Sequence, residues 1–396
     1  MSEHAHLGTL FVLLLLSVLA PAIAVRARLP AAVLLIAAGI ACGPAGLAWL
    51  RDTPTVALLS ELGFLVLMFV AGMEIDFESL RSAGPKQLAL PALCVMGFAG
   101  IAGAFGIWRN LSVLELVIVS ASSVGMPLAV LQESGRVQTP LGRHVMLTAS
   151  LGEFVSILAI TGYEVLSEEA TLSHRAVNIT KVIVLFAGSA LLIRWARAAV
   201  WWKPESFRRL TQHHDVAELG LRTGLLVMFG FVVVAATLGV EPILGAFIAG
   251  ALVSFVLREK HALEAKIAAL GHGLFIPIFF IVVGVRFDPR LLTLPALREA
   301  LVFVLIVGTV KIIPTMIFSP RELGLRERFA AGTLLSAPLT LVVAIAAIGR
   351  RLGALDAAHE ASFLLLAILL SLGFPIIFRL VSGGAIQRTE GPASAR

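Results

Sequence analysis

Charge is what this sequence has least of. Only 14% of its 396 residues are Asp, Glu, Lys or Arg, while 58% are hydrophobic. A soluble domain carries about 25% charged residues. The shortage excludes an ordinary soluble domain and places nearly all of the chain in membrane spans or short loops. The formal net charge of +6 is then no footprint of nucleic-acid binding, because basic excess in a polytopic chain marks cytoplasmic loops. Cysteine is almost missing. Cys42 and Cys94 both sit in apolar runs without metal-ligand spacing, which argues against a disulfide framework or a metal site and makes both buried small apolar residues. No cofactor is expected. The opening Met1-Ser2-Glu3-His4-Ala5-His6 contains no Lys or Arg. A secretory signal normally begins with positive charge, so the first apolar run is expected to be a retained span. No stretch remains for a soluble regulatory domain, and a single membrane domain is expected over 1–396. There is also no His-Glu-x-x-His motif and no convincing nucleophile arrangement, so an enzyme is the least favoured class.

Apolar runs long enough to cross a bilayer, about 17–25 residues each, are present in number. They fall at about 7–25, 29–49, 57–73, 88–107, 111–131, 143–166, 178–200, 219–238, 242–257, 271–286, 299–318, 328–349 and 358–382. The fold class predicted is an all-α polytopic membrane protein of about thirteen spans. With the N-terminus outside, about 21 Lys and Arg fall on the inner side and about 9 on the outer side, and Lys311 stays in the membrane. The C-terminus is then cytoplasmic. Two linkers are expected to lie along the inner face. One is Trp201 to Leu210, where aromatic residues stand beside basic ones. The other is Arg258 to Leu270, which mixes charges with Ala and Leu at helical spacing. His213 and His214 follow the first and are expected to be solvated loop residues.

Within the apolar runs, two ionisable residues stand out. Glu153 lies near the middle of the run beginning at His144, and Lys311 lies deep in Val307-Gly308-Thr309-Val310-Lys311-Ile312-Ile313-Pro314. A charge at the bilayer centre is costly, and such residues pair, face a water-reached cavity or bind a proton. Those are also the requirements of an ion or proton carrier. The competing readings are a neutral, hydrogen-bonded packing residue for Glu153 and snorkelling to the inner interface for Lys311. Glu153 and Lys311 are natural candidates to compensate one another. The neighbouring runs carry interruptions. Ser122, Ser123, Gly125 and Pro127 lie together in 119–130, and Ser336, Pro338 and Thr340 lie together in 333–343. Proline removes an N–H and frees carbonyls in a helix, and the hydroxyls can add oxygen ligands. On the charge-based topology the two runs point in opposite directions. That is the pattern of an inverted repeat with two broken helices crossing at the midplane. The plainer alternative is two ordinary proline kinks.

These residues resemble a known family. Leu59-Ser60-Glu61-Leu62-Gly63 through Phe69-Val70-Ala71-Gly72-Met73-Glu74-Ile75-Asp76, then Glu241 through Gly250, then Pro277 through Gly284, are similar to successive motifs of the bacterial monovalent cation:proton antiporter-2 family. That family includes sodium/proton antiporters and potassium efflux systems. The resemblance covers most of the chain. It implies a moving core bundle, placed near 57–166 and 271–349, with a dimerisation panel from the remaining helices, and hence a homodimer. It matches Lys311 to the family's buried lysine. It also exposes departures. The family carries two polar or acidic residues where this chain has Gly152-Glu153, and the Arg or Glu often found near the second interruption is replaced by Pro338 and Thr340.

The expectation is therefore a secondary antiporter in the inner membrane, with a monovalent cation (sodium or potassium) and a proton as its partners. Both would compete for one carboxylate, Glu153, in electroneutral exchange. Ser122, Ser123, Ser336, Thr340 and freed carbonyls would coordinate or orient, with Lys311 as charge partner. Two other classes stay open. One is a gated potassium channel-like efflux protein, although no carbonyl filter sequence is present. The other is a sodium-coupled organic-anion symporter or sensor on a related fold, with Lys311 and half-helix N-termini holding the anion.

Overall fold

A computed structural model describes residues 3–27, 29–75, 84–167, 180–181, 183–185, 187–189, 191, 194, 218–256, 261–291 and 293–382. Among these the chain is helical, without strands. The helices are α1 (Glu3–Ala27), α2 (Ala31–Cys42), α3 (Pro54–Glu74), α4 (Pro85–Arg109), α5 (Val113–Ser120), α6 (Gly125–Glu133), α7 (Pro140–Ser167), α8 (Leu219–Thr237), α9 (Pro242–Val256), α10 (His261–Leu270), α11 (Ile276–Arg286), α12 (Leu294–Thr315), α13 (Leu325–Leu335), α14 (Leu339–Arg351) and α15 (Ala357–Val381).

Local chemistry sets several boundaries. Thr53 caps α3 by accepting from the Val56 N–H, with proline at the first helical position, where its missing N–H costs nothing. Asn110 ends α4 in the left-handed conformation at φ 53. Two residues later, Ser112 and Glu115 form a reciprocal capping box that starts α5. Glu115 thus serves a helix end.

Nine helical segments of the described residues are long and apolar enough to cross a membrane, and Ala31–Cys42 and Pro242–Val256 are shorter apolar helices. Together with α12, they give a counterpart to every expected span except 178–200. Most of that segment lies outside the described residues, as do the Trp201–Leu210 linker, His213 and His214. The Arg258–Leu270 linker has helical spacing and is helical from His261, and it runs through a π turn, Gly271–Phe275, directly into α11. Leu263 and Ile267 of this stretch are buried. The reason is composition: Leu, Glu, Ala, Lys and Ile are strong to adequate helix formers. The two glycines that follow are absorbed by a turn with i→i+5 bonding instead of ending the helix.

The chain divides into two compact units. The first holds Met1–Arg81, Ile157–Leu297 and Gly349–Ser362. Here α3 packs on α9 and α2 packs on α11, both through glycine. A Cβ on Gly39 would lie 2.0 Å from the Ile281 carbonyl oxygen, and one on Gly284 would lie 2.1 Å from that of Ile36. Gly72 and Gly250 meet the carbonyls of Phe247 and Phe69 at 2.2 and 2.0 Å in the same way. In a bilayer, helix association rests on van der Waals packing, so small residues that let backbones touch define these contacts. The spans near 57–73 and 271–286, expected in the moving core, pack within this unit.

The second unit holds Ser82–Ser156, Arg298–Ile348 and Phe363–Arg396. Gly97 of α4 lies against Pro314 of α12, Gly332 of α13 against Ile312 of α12, and Gly308 of α12 against the Phe374 ring of α15. Phe303 and Phe363 meet edge to face at 5.3 Å. Arg379 of α15 pairs with Glu133 at the end of α6 at 2.6 Å. All nine residues singled out from the interruptions and buried charges fall in this unit.

Candidate functional site

Two helices of the second unit are broken. The first unwinds at residues 121–124, between α5 and α6, and the second at 336–338, between α13 and α14. The prolines play unequal parts. Pro338 lies in its break, whereas Pro127 is the third residue of α6, inside the first turn. There its absent N–H is one of the donors that a helix leaves unmatched in any case. Gly125 opens that helix. The unwound residues are Ala121, Ser122, Ser123 and Val124, with Ala121 extended at ψ 140.

Both charges gather at this first break. Glu153, in α7, is 2% exposed. Its Oε2 accepts the Val124 N–H at 3.0 Å, and its Oε1 accepts the Ser123 hydroxyl at 3.4 Å. Ser123 Oγ also lies 3.2 Å from Thr340 Oγ1, which joins the first interruption to the start of α14. Lys311, in α12, is fully buried. Its Nζ donates to the Ser120 carbonyl at 2.6 Å and to Ser122 Oγ at 2.6 Å, and it stands 3.9 Å from the centroid of the Phe98 ring.

Glu153 and Lys311 each have partners of their own, at opposite ends of one unwound segment. Ser120 is the last residue of α5, so its carbonyl belongs to the negative end of that half-helix. Val124 caps α6, so its N–H belongs to the positive end of the next. A helix end carries roughly half a unit charge and stabilises an opposite charge by up to about 2 kcal/mol when partly buried. The break therefore presents a donor to the carboxylate and an acceptor to the ammonium. The ammonium also faces an aromatic ring, the geometry of a cation–π contact.

The structure thus brings together Glu153, Ser123, Thr340, Ser122 and Lys311. It does not bring in Ser336, whose hydroxyl donates to the Gly332 carbonyl of its own helix at 2.7 Å. Two participants carry no individual signal in the sequence. One is Phe98, which is contributed by α4. The other is Ser156, whose Oγ accepts the Ser122 N–H at 3.3 Å and donates to the Gly152 carbonyl at 2.7 Å. Helical spacing does place Ser156 one turn from Glu153, on the same face. Among the described residues the site offers one carboxylate, Glu153, with the hydroxyl oxygens of Ser123 and Thr340 beside it. That set can hold a proton or a small dehydrated cation. Among the described residues no cluster of His, Cys, Asp and Glu has the makings of a polydentate metal site.

Comparison with known proteins agrees with this architecture. Residues 12–381 match the family model described as sodium/hydrogen exchanger, transmembrane. YjbQ of Bacillus subtilis is 30% identical over 402 residues, covering 95% of this chain and 63% of its own, so the chain spans less than two thirds of that relative. The Na(+)/H(+)-K(+) antiporter GerN of Bacillus cereus is 27% identical over 330 residues, 81% of each protein. The solved structure of the sodium proton antiporter MjNhaP1 from Methanocaldococcus jannaschii superposes with a TM-score of 0.64 at 16% identity. It covers 96% of this chain and 97% of that one, which shows a shared fold.

Proposed function

We propose, for a chain that belongs to the transmembrane sodium/hydrogen exchanger family, that it is a secondary antiporter exchanging a monovalent cation, sodium or potassium, for protons through Glu153. The observation that carries this reading is the buried Glu153 carboxylate at the first break. It accepts one backbone N–H and touches a hydroxyl pair, Ser123 and Thr340, shared between two broken helices. A proton and a cation compete for the same two carboxylate oxygens. Only one of them can be held at a time, and each carries a single positive charge. The exchange is then one for one and electroneutral. When the cation is bound, the Ser123 and Thr340 oxygens complete its shell. When the proton is bound, the Val124 N–H and the Ser123 hydroxyl keep the carboxyl group in place.

Lys311 stands at the far end of the break, where the Ser120 carbonyl and the Ser122 hydroxyl hold its amine. Alternating exposure of the one site to the two membrane faces, driven only by the gradients, completes the cycle. The protein acts as a homodimer in the cell inner membrane, N-terminus outside and C-terminus cytoplasmic, as the Lys and Arg distribution indicates. No enzymatic step is involved.

The test is reconstitution of the purified chain and of Glu153→Gln in sealed vesicles containing a pH dye, with imposed sodium, potassium or lithium gradients. Wild-type protein should give cation-driven proton flux, and the variant none above empty vesicles. Undiminished flux in Glu153→Gln would sink the mechanism. Single-channel currents in a planar bilayer would move the assignment to the channel class. Sodium-dependent uptake of an organic anion would move it to the symporter class.

A further inference from the structure

We propose that Ser122 is the positioning residue for the Lys311 ammonium, and that position 152 is glycine because Ser122 occupies the volume a side chain there would need. This deepens the exchange reading and rests on it for the transport readout alone.

Three contacts set Ser122. Its N–H is held by Ser156 Oγ at 3.3 Å, and Ser156 is itself anchored on the Gly152 carbonyl. Its Oγ receives the Lys311 ammonium at 2.6 Å. Its side chain lies against Gly152. A Cβ built on Gly152 would fall 2.7 Å from Ser122 Cβ, 2.9 Å from Ser122 Oγ and 3.7 Å from Val95 Cγ2. Even a methyl group at 152 must therefore push aside the atom that holds Lys311. The collision involves a short side chain on an unwound backbone, with no flexible end to swing clear. Ser122 and Ser123 are adjacent, yet one serves Lys311 and the other Glu153. The position of the ammonium relative to the carboxylate is thus set through two neighbouring residues. A misplacement of about 1 Å in such a constellation can cost about a hundredfold in rate.

The geometry also supplies its own control. A hydroxyl carried on residue 152 would start from a Cβ within 2.9 Å of the present Ser122 Oγ. Moving the serine across, as Ser122→Gly with Gly152→Ser, clears the collision and returns a hydroxyl to the same region. Ser122→Gly with Gly152→Ala clears the collision without returning one.

Four variants in wild-type background test this: Gly152→Ala, Ser122→Ala and the two double variants. Each is read by thermal unfolding in detergent and by kcat and KM for the cation in vesicles. Gly152→Ala should unfold at lower temperature than wild type, and both double variants should recover part of that loss. Turnover should fall about tenfold or more in Gly152→Ala, in Ser122→Ala and in the hydroxyl-free double variant, with KM for the cation changed less than twofold, because the defect lies in Lys311 placement. The serine-swap variant should regain most of the turnover. Three results would overturn the proposal. They are wild-type unfolding and turnover in Gly152→Ala, equal recovery of turnover by both double variants, or a change confined to KM, which would make Ser122 a cation ligand. The unfolding comparison does not depend on transport. Failure of the exchange reading would appear separately, as undiminished flux in Glu153→Gln.

Discussion

Shortening Glu153 by one methylene, as Glu153→Asp, keeps the charge and removes the reach. One carbon–carbon bond is about 1.5 Å, so a carboxylate drawn back along the side chain leaves the Val124 N–H, now 3.0 Å away, at about 4 Å or more. No hydrogen bond survives that distance. Losing that one charge-assisted bond costs about 1.5–3 kcal/mol. The loss falls on the ionised form, which needs the donor, far more than on the protonated form. Protons then compete more effectively, and the KM for the cation should rise by about tenfold to a hundredfold, since each 1.4 kcal/mol is a factor of ten. Turnover at saturating cation should change less. The assay is initial proton flux in vesicles as a function of cation concentration at several pH values. The KM defect should narrow as pH rises and fewer protons compete. A cation KM within twofold of wild type at every pH would refute the assignment of the Val124 N–H as the group that holds the ionised acid.

Other expectations follow from the same geometry. Ser123→Ala removes the hydroxyl that touches both Glu153 and Thr340, whereas Thr340→Val removes only the outer partner, so the first should weaken cation binding more than the second in the same vesicle assay. In the first unit, Gly39→Val drives a Cβ to 2.0 Å from the Ile281 carbonyl oxygen. Neither backbone can yield without parting α2 from α11, and overpacking of this kind costs about 1–3 kcal/mol or more, which a lowered unfolding temperature in detergent would report. At the start of α15, Asp356 lies outside the spans. The backbone N–H of His359 first, then its side chain, hold the Asp356 carboxyl below its ordinary range. A depressed carboxyl stabilises the fold above its unfolded pKa, about 3.9, and loses that contribution as pH falls through the folded value. The unfolding-temperature difference between wild type and Asp356→Asn should therefore shrink towards zero as pH is lowered below about 4, and a difference constant with pH would show that the carboxylate charge plays no part.

Much of the fold could be read from the chain because the membrane enforces it. Backbone groups in hydrocarbon must be satisfied within the segment, so long apolar runs can only be helices, and the sequence places their centres even where ends shift by a few residues. The interruptions were legible for the same reason: prolines beside hydroxyl residues inside apolar runs must disturb the ladder. Their exact location was not. Pro127 draws the eye, yet the unwinding falls at 121–124, because proline is at home in a first turn and the freed groups are those just before it. The backbone partners at the break were also out of reach. The Val124 N–H and the Ser120 carbonyl, at the two ends of the break, lie beside Glu153 and Lys311, and no pattern of side chains announces which backbone groups a break will free. Which end meets which charge depends on how α4, α7 and α12 pack, and no spacing within one segment encodes that.

Gly152 shows what this means for function. Read along the chain, it is a departure from the resembled family, which carries a polar or acidic side chain at this place. In the folded unit the same position is filled by Ser122, whose hydroxyl holds the ammonium of Lys311. The glycine is then half of a complementary pair, and the number of acids at the site is tied to the size of a residue thirty positions earlier. A carboxylate cannot be introduced at 152 without first vacating 122, and vacating 122 releases one of the two hydrogen bonds that keep Lys311 in place. On the proposed exchange through Glu153, the side-chain volume available at 152 is thus a property of the packing around the break, and introducing a second acid there would require both positions to change together.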